Sequence, residues 1–308
     1  MNIVVFGVGG VGGYFGGKLC MLASKKADIN VYFIARGDHL REIQFHGLEL
    51  DSDEGKFICK PKLTTDNVEL LPLIDLLLVC TKGFDLNNAI KSIESKICES
   101  TIILPLLNGI DIPERILTAT KKGIIIPACV YVGTHIDRPG VIKQRGGACT
   151  IHWGKGSLSQ NDFQKLKKLL TESDIKNVDH ENPQIEIWKK YIFISSFGMV
   201  TAANSKTIGE VMESEELSLQ VKSIMNEVFE ISQKKQIGLS QEIVEESFNR
   251  GKSFPYETKT SFQRDYENEY KKDERDLFGG TITRLAELFG VEASVSKKVY
   301  AALIEKNC

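Results

Sequence analysis

Met1–Gly17, MNIVVFGVGGVGGYFGG, is the stretch that decides the fold. Asn2–Phe6 is dominated by Ile, Val and Phe, the composition of a short buried strand. Gly7, Gly9 and Gly12 follow at the spacing G-x-G-x-x-G and lead into an apolar, helix-like run with Leu19, Cys20, Leu22 and Ala23. Between a strand and a helix, each glycine has a separate role. Gly7 permits the tight turn, Gly9 lets a pyrophosphate approach the backbone, and Gly12 lets the helix lie close to the strand. The helix start adds unpaired N–H groups and the positive end of a dipole. Gly7, Val8, Gly9, Gly10, Val11 and Gly12 are therefore the candidate phosphate cradle. The competing reading is a glycine-rich turn with no ligand. Gly10, Gly13, Gly16 and Gly17 would each weaken a helix by up to ~1 kcal/mol relative to Ala, so close packing against a sheet or a ligand explains them better.

Outward from this stretch, Ile29–Ala35 (INVYFIA) reads as a second strand. Its end selects the cofactor in dinucleotide folds, through an acid for the NAD ribose hydroxyl or a cation for the NADP phosphate. Here Ala35 and Arg36 stand at that point, with no acid before Asp38. A guanidinium able to bind phosphate through two prongs favours NADP; the bland alternative is a solvated Arg36 and no discrimination. Gly47–Pro61 alternates around a turn at Asp51–Gly55, predicting an antiparallel hairpin at an edge of the sheet. Ile74–Cys80 and Thr101–Leu107 read as buried strands, with a helix predicted over Asp85–Ile97 between them. Lys82 and Asn108 follow the two strands directly, where ligands of open α/β sheets bind; each is equally well read as a solvated residue. Gly123–Val132, Gly140–Gln144 and Ala148–Trp153 read as three further strands, the last two joined by Arg145-Gly146-Gly147.

The totals exclude several classes. In 308 residues, 42% are hydrophobic and 26% charged, as in soluble globular proteins, and the length favours two domains. A net charge of −2 gives no electrostatic case for nucleic acid or an anionic membrane surface. The cysteines (20, 59, 80, 98, 129, 149 and 308) are odd in number, form no C-x-x-C pair and read as small buried hydrophobes in a reducing compartment. No basic segment precedes the first apolar run, so a cytoplasmic location is expected. Five scattered histidines (39, 46, 135, 152 and 180) have no metal-ligand spacing, and no metal is expected.

Beyond an amphipathic helix at Asn161–Leu170, helical periodicity takes over after Asn182-Pro183. The chain is therefore read as an α/β protein: an N-terminal Rossmann-type dinucleotide-binding domain over 1–182, followed by an all-α domain over 183–308. Gln184–Met199 is apolar around most of its circumference, and Lys189 and Lys190 are its only basic residues. Desolvation would lower a lysine's pKa there and suit it to proton donation; the alternative is that both reach solvent. Asp273–Gly290 opens with charge and continues with Leu277, Phe278, Ile282, Leu285, Leu288 and Phe289 at helical spacing.

GVGGVGGYFGG, ARGDHL, LLVCTKG, PLLNG and IEIWKK occur in an order and spacing that resembles the ketopantoate reductase (2-dehydropantoate 2-reductase) family over nearly the whole chain. DERDLFGG resembles that family's late T-E-I-D-x-x-N-G stretch. The resemblance implies that Lys82 and Asn108 contact NADPH, with Asn108 also near the substrate. It implies that Lys190 is the general acid and that Glu274 binds the substrate hydroxyl and helps position the lysine. Ser261 matches a substrate-binding serine in a register shifted by one residue. His135 stands where a small residue usually touches the cofactor. Substrate-facing asparagines of enzymes acting on ketopantoate are replaced here by Ile194 and Gly198, four and eight residues after Lys190; Asn204 is a more distant substitute.

The implied activity is NADPH-dependent reduction of a 2-oxo acid, first of all 2-dehydropantoate to pantoate in pantothenate and coenzyme A biosynthesis. The alternatives are a less polar ketoacid or other carbonyl compound, or an NADP-binding sensor without catalysis. Family members often form dimers, so a homodimer is the implied assembly.

Overall fold

The computed structural model describes residues 1–268 and 272–305; Cys308 lies outside the described residues. The chain divides into two compact units, one of residues 1–107 and 112–183, the other of residues 108–111 and 184–308.

The first unit opens with β1 (Asn2–Phe6), α1 (Gly10–Ala23), β2 (Asn30–Ile34) and α2 (Gly37–His46). There follow β3 (Leu48–Ser52), β4 (Gly55–Cys59), β5 (Leu63–Thr65), β6 (Ile74–Val79), α3 (Leu86–Ile93) and β7 (Ile97–Pro105). The rest is α4 (Ile112–Ala119), β8 (Ile124–Ile125), β9 (Ala128–Tyr131), β10 (Thr134–Arg138) and β11 (Val141–Gln144), then β12 (Thr150–Gly154), α5 (Gln160–Glu172) and β13 (Lys176–His180). Six strands form a parallel sheet in the order β5-β2-β1-β6-β7-β8. Its central strands read as continuous apolar runs because both faces are buried: Ile3, Val4 and Val5, like Leu76, Leu77 and Leu78, are wholly inaccessible.

The 47–61 segment is an antiparallel hairpin, β3–β4, but it is not at an edge of the parallel sheet. It belongs to a second sheet, β10-β11-β3-β4, because β11 returns to pair parallel with β3. The stretch 123–132 is likewise two strands in two sheets. Pro127, which has no N–H to give a ladder, separates β8 from β9, and β9 pairs with β12 in a three-stranded sheet, β13-β12-β9. β10 and β13 carry too much polarity to be read as strands from their residues.

The second unit holds α6 (Pro183–Asn204) from its second residue on, α7 (Ile208–Glu213), α8 (Glu215–Lys234), α9 (Ile243–Arg250) and α10 (Ser261–Tyr266), a π-turn at Asp276–Gly280, α11 (Thr281–Phe289) and α12 (Ser294–Glu305). α6 is its core, with Trp188, Tyr191 and Phe197 buried. Phe193 stacks on Phe254 at 5.4 Å and Phe197 on Phe248 at 6.2 Å. A buried carboxylate, Glu227 of α8, accepts the backbone N–H groups of Val295 and Ser296 at 2.8 and 2.9 Å, satisfying the start of α12. Among the described residues, no helix is long and apolar enough to cross a membrane.

Candidate active site

Two groups of candidate residues form, one in each unit. In the first unit, Gly7 has φ +93°, which admits glycine readily, and a Cβ on Gly12 would run into the Gly7 carbonyl. A Cβ on Gly9 would meet nothing within 4 Å, so the loop is open where a phosphate would approach. α1 begins there with no side-chain cap and no acid in its first turn, leaving its N–H groups to an anion. Gly10 lies against Thr134, not His135: a Cβ on it would come within 2.8 Å of the Thr134 hydroxyl. His135 is exposed on β10.

The end of β6 abuts the same loop, since a Cβ on Gly7 would touch Cys80 and the Thr81 backbone at 3.0 Å. The Thr81 hydroxyl is buried and has no partner among the described residues. It is a polar atom suited to a bound phosphate, and its residue type alone carries no signal of this. The open Gly9, the bare helix start and this hydroxyl fit a dinucleotide. Lys82 is exposed just beyond. Arg36 is exposed at the start of α2, and the nearby Asp38 is ion-paired with Arg41. Val8 is buried and Val11 packs on the core. Burial raises the pKa of the Cys80 thiol beside this loop, and elsewhere in the unit raises that of Cys20 and pushes that of Cys59 up to about 11.

In the second unit, Lys190 Nζ donates to Asn108 Oδ1 at 2.7 Å, joining residues far apart in sequence. Both side chains are half-buried. Asp111 anchors the short 108–111 segment by accepting from the Thr281 hydroxyl at 3.1 Å. Tyr191, next to Lys190, donates its buried hydroxyl toward the carbonyls of Leu277 and Phe278, both at 3.0 Å. This ties α6 to the π-turn that begins just after Glu274. Glu274 is only 4% exposed. Its backbone is held on both sides, because Arg275 donates to Asp273 through Nε and Nη2, at 2.9 and 2.6 Å, and to the Leu303 carbonyl through Nη1 at 2.8 Å. The contacts of Asp111 with Thr281, of Tyr191 with the π-turn carbonyls and of Arg275 with the Leu303 carbonyl join residues far apart in sequence, so residue pattern does not announce them.

Along α6, Ile194 is partly exposed one turn after Lys190, amid buried neighbours. Gly198 faces Phe262: a Cβ there would lie 3.4 Å from the ring, in ordinary contact. Phe262 and Thr260, whose hydroxyl is 3.1 Å from that of Thr201, are the members of their segment that meet α6, while Ser261 is exposed on the first turn of α10. Asn204 cannot replace an amide near Lys190. It lies about 21 Å further along the helix and donates to the Val200 carbonyl.

Sequence profiles described as "Ketopantoate reductase PanE/ApbA" and "Ketopantoate reductase PanE/ApbA C terminal" match residues 3–157 and 182–307. The chain belongs to the ketopantoate reductase family. It is an oxidoreductase of that family, with the family's α/β domain and helical domain. An uncharacterized oxidoreductase of Bacillus subtilis, YkpB, is 25% identical over 98% of both chains. The crystal structure of 2-dehydropantoate 2-reductase from Porphyromonas gingivalis W83 superposes with a TM-score of 0.84 at 29% identity, covering 99% of each chain. D-mandelate dehydrogenase, solved with NADH and anilino(oxo)acetate, shares the fold with a TM-score of 0.85 at 22% identity, covering 100% of this chain and 98% of its own.

Proposed function

We propose that this protein reduces a 2-oxo acid to a 2-hydroxy acid with NADPH, with 2-dehydropantoate as the first substrate to test. The observation that carries the reading is the Lys190–Asn108 contact beside the Glu274 segment, in a chain that opens with an uncapped glycine loop. The loop from Gly7 to Gly12, together with Thr81 and Lys82, would hold the pyrophosphate, and Arg36 the 2′-phosphate. When bound, the reduced nicotinamide supplies a hydride to the carbonyl carbon. Lys190, oriented by Asn108 Oδ1, stabilises the negative charge that develops on the carbonyl oxygen and delivers the proton that completes the alcohol. The lysine then regains a proton from solvent. Glu274 accepts a hydrogen bond from the product hydroxyl and helps hold Lys190.

A second reading concerns the substrate. Ile194 and the Gly198–Phe262 contact put hydrocarbon where a polar substrate would need amides, and each buried group left unpaired costs about 1–3 kcal/mol. This favours a 2-oxo acid with an apolar side chain, in keeping with the fold's occurrence in a mandelate dehydrogenase.

NADPH oxidation measured across a panel of 2-oxo acids, with 2-dehydropantoate and aromatic and aliphatic members included, tests both readings. Turnover of 2-dehydropantoate above all others supports the first, and preference for the apolar acids supports the second. Tight NADPH binding without turnover of any acid would sink the reductase assignment.

A further inference from the structure

Lys18, on α1, is an ammonium buried to 5% exposure outside the glycine loop. It donates to Glu54 Oε2 at 2.6 Å, to the Asp174 carbonyl at 2.7 Å and to Asp174 Oδ2 at 3.2 Å. A cavity of about 200 Å³ opens beside it, several waters' worth of space at about 30 Å³ each. One wall is hydrocarbon, from Met21, Leu50 and Phe57. Ser173 also lines the cavity. It is 4% exposed, and its hydroxyl has no partner among the described residues, an orphan that costs free energy unless a ligand satisfies it.

The charge of this cavity is decided by what Lys18 has left to give. An ammonium has three hydrogens, and three acceptors already take them. An incoming anion would find no donor on Lys18 and would meet two carboxylates. One cation against Glu54 and Asp174 leaves a net charge of −1. The second oxygen of each carboxylate remains an acceptor. Ser173 and Asp174 also terminate α5, whose C-terminal dipole end favours a positive charge.

We propose that this cavity binds a small organic cation, a primary ammonium on a short apolar chain. The ammonium sits between Glu54, Asp174 and the Ser173 hydroxyl, and the chain lies against Met21, Leu50 and Phe57. The site is separate from the residues assigned to reduction, so it stands whatever the substrate is.

The test is a titration of the whole protein with n-butylammonium, butyrate and n-butanol at constant ionic strength, followed by the methyl NMR signals of Met21 and Leu50. Saturable shifts with n-butylammonium at about 1–10 mM, at least about tenfold tighter than with either matched probe, are expected. Glu54→Gln and Asp174→Asn each remove one negative charge and should weaken the binding several-fold. Asn tolerates the left-handed backbone of Asp174, φ +55°, and Glu54 is part-exposed in the β3–β4 turn, so both variants should fold. Butyrate or butanol binding as well as the amine, absence of saturation with all three, or undiminished amine binding in both variants would overturn the proposal.

Discussion

The glycine loop at 7–12 and the group built around the Lys190–Asn108 contact are held by different physics. The loop is shaped by backbone: a left-handed Gly7, a Gly12 pressed on the Gly7 carbonyl, and N–H groups left bare at the start of α1. The second group is shaped by side chains gripping distant segments, Lys190 on Asn108, Thr281 on Asp111, and Tyr191 on the π-turn carbonyls. A backbone device is written in adjacent residues. A side-chain device requires the chain to have folded first.

That contrast can be broken by substitution. Lys190→Ala should have the largest effect, lowering kcat by about 10²–10⁴-fold while leaving NADPH affinity unchanged. Stopped-flow turnover alongside fluorescence titration of NADPH measures both, and unimpaired turnover would remove Lys190 from its proposed role. Gly12→Ala should do the converse. The added methyl is driven into the Gly7 carbonyl, so NADPH binding should be lost and the first unit destabilised by about 1–3 kcal/mol in urea unfolding. Normal cofactor affinity in that variant would mean that the loop is no cradle.

Ile194→Asn should sharpen the substrate reading more gently. Restoring an amide one turn from Lys190 should shift the kcat/KM ratio toward hydroxylated over aliphatic 2-oxo acids by about tenfold. An unchanged ratio would show that this face does not meet the substrate.

The smallest effect is a pH dependence at His39, on α2. Its Nδ1 accepts the Gly140 N–H at 2.9 Å, and burial lowers its pKa below the usual 6.5, partly opposed by the Val8 carbonyl of the glycine loop. Below about pH 6.5 the unfolded chain takes up a proton that the folded imidazole resists. Stability should therefore fall as pH drops from about 6.5 to the lowered folded value and level off beneath it. His39→Gln should flatten that slope in thermal melts from pH 7.5 to 5; an identical slope would place the titration elsewhere.

What could be read from residues follows the same division. The hairpin at 47–61 was legible because alternation and turn chemistry are local, yet its membership of a second sheet depended on β11, some eighty residues later. α6 was legible as a buried helix from its apolar circumference. The irrelevance of Asn204 to Lys190 needed the helix to continue to residue 204, with that amide spent on its own last turn. Ser261 resembles the family's substrate-binding serine in a register shifted by one residue, and its neighbours Thr260 and Phe262 meet α6.

By itself, the sequence determined a parallel α/β unit with a dinucleotide-type loop, because strand hydrophobicity and glycine spacing act within a few residues of one another. The tertiary structure alone decided that Asn108 receives Lys190, that Thr134 and the orphan Thr81 hydroxyl border the loop, and that Lys18 has no hydrogen left to donate. Each of these is a matter of which side chain reaches which atom across a long loop, and local propensity does not encode that choice.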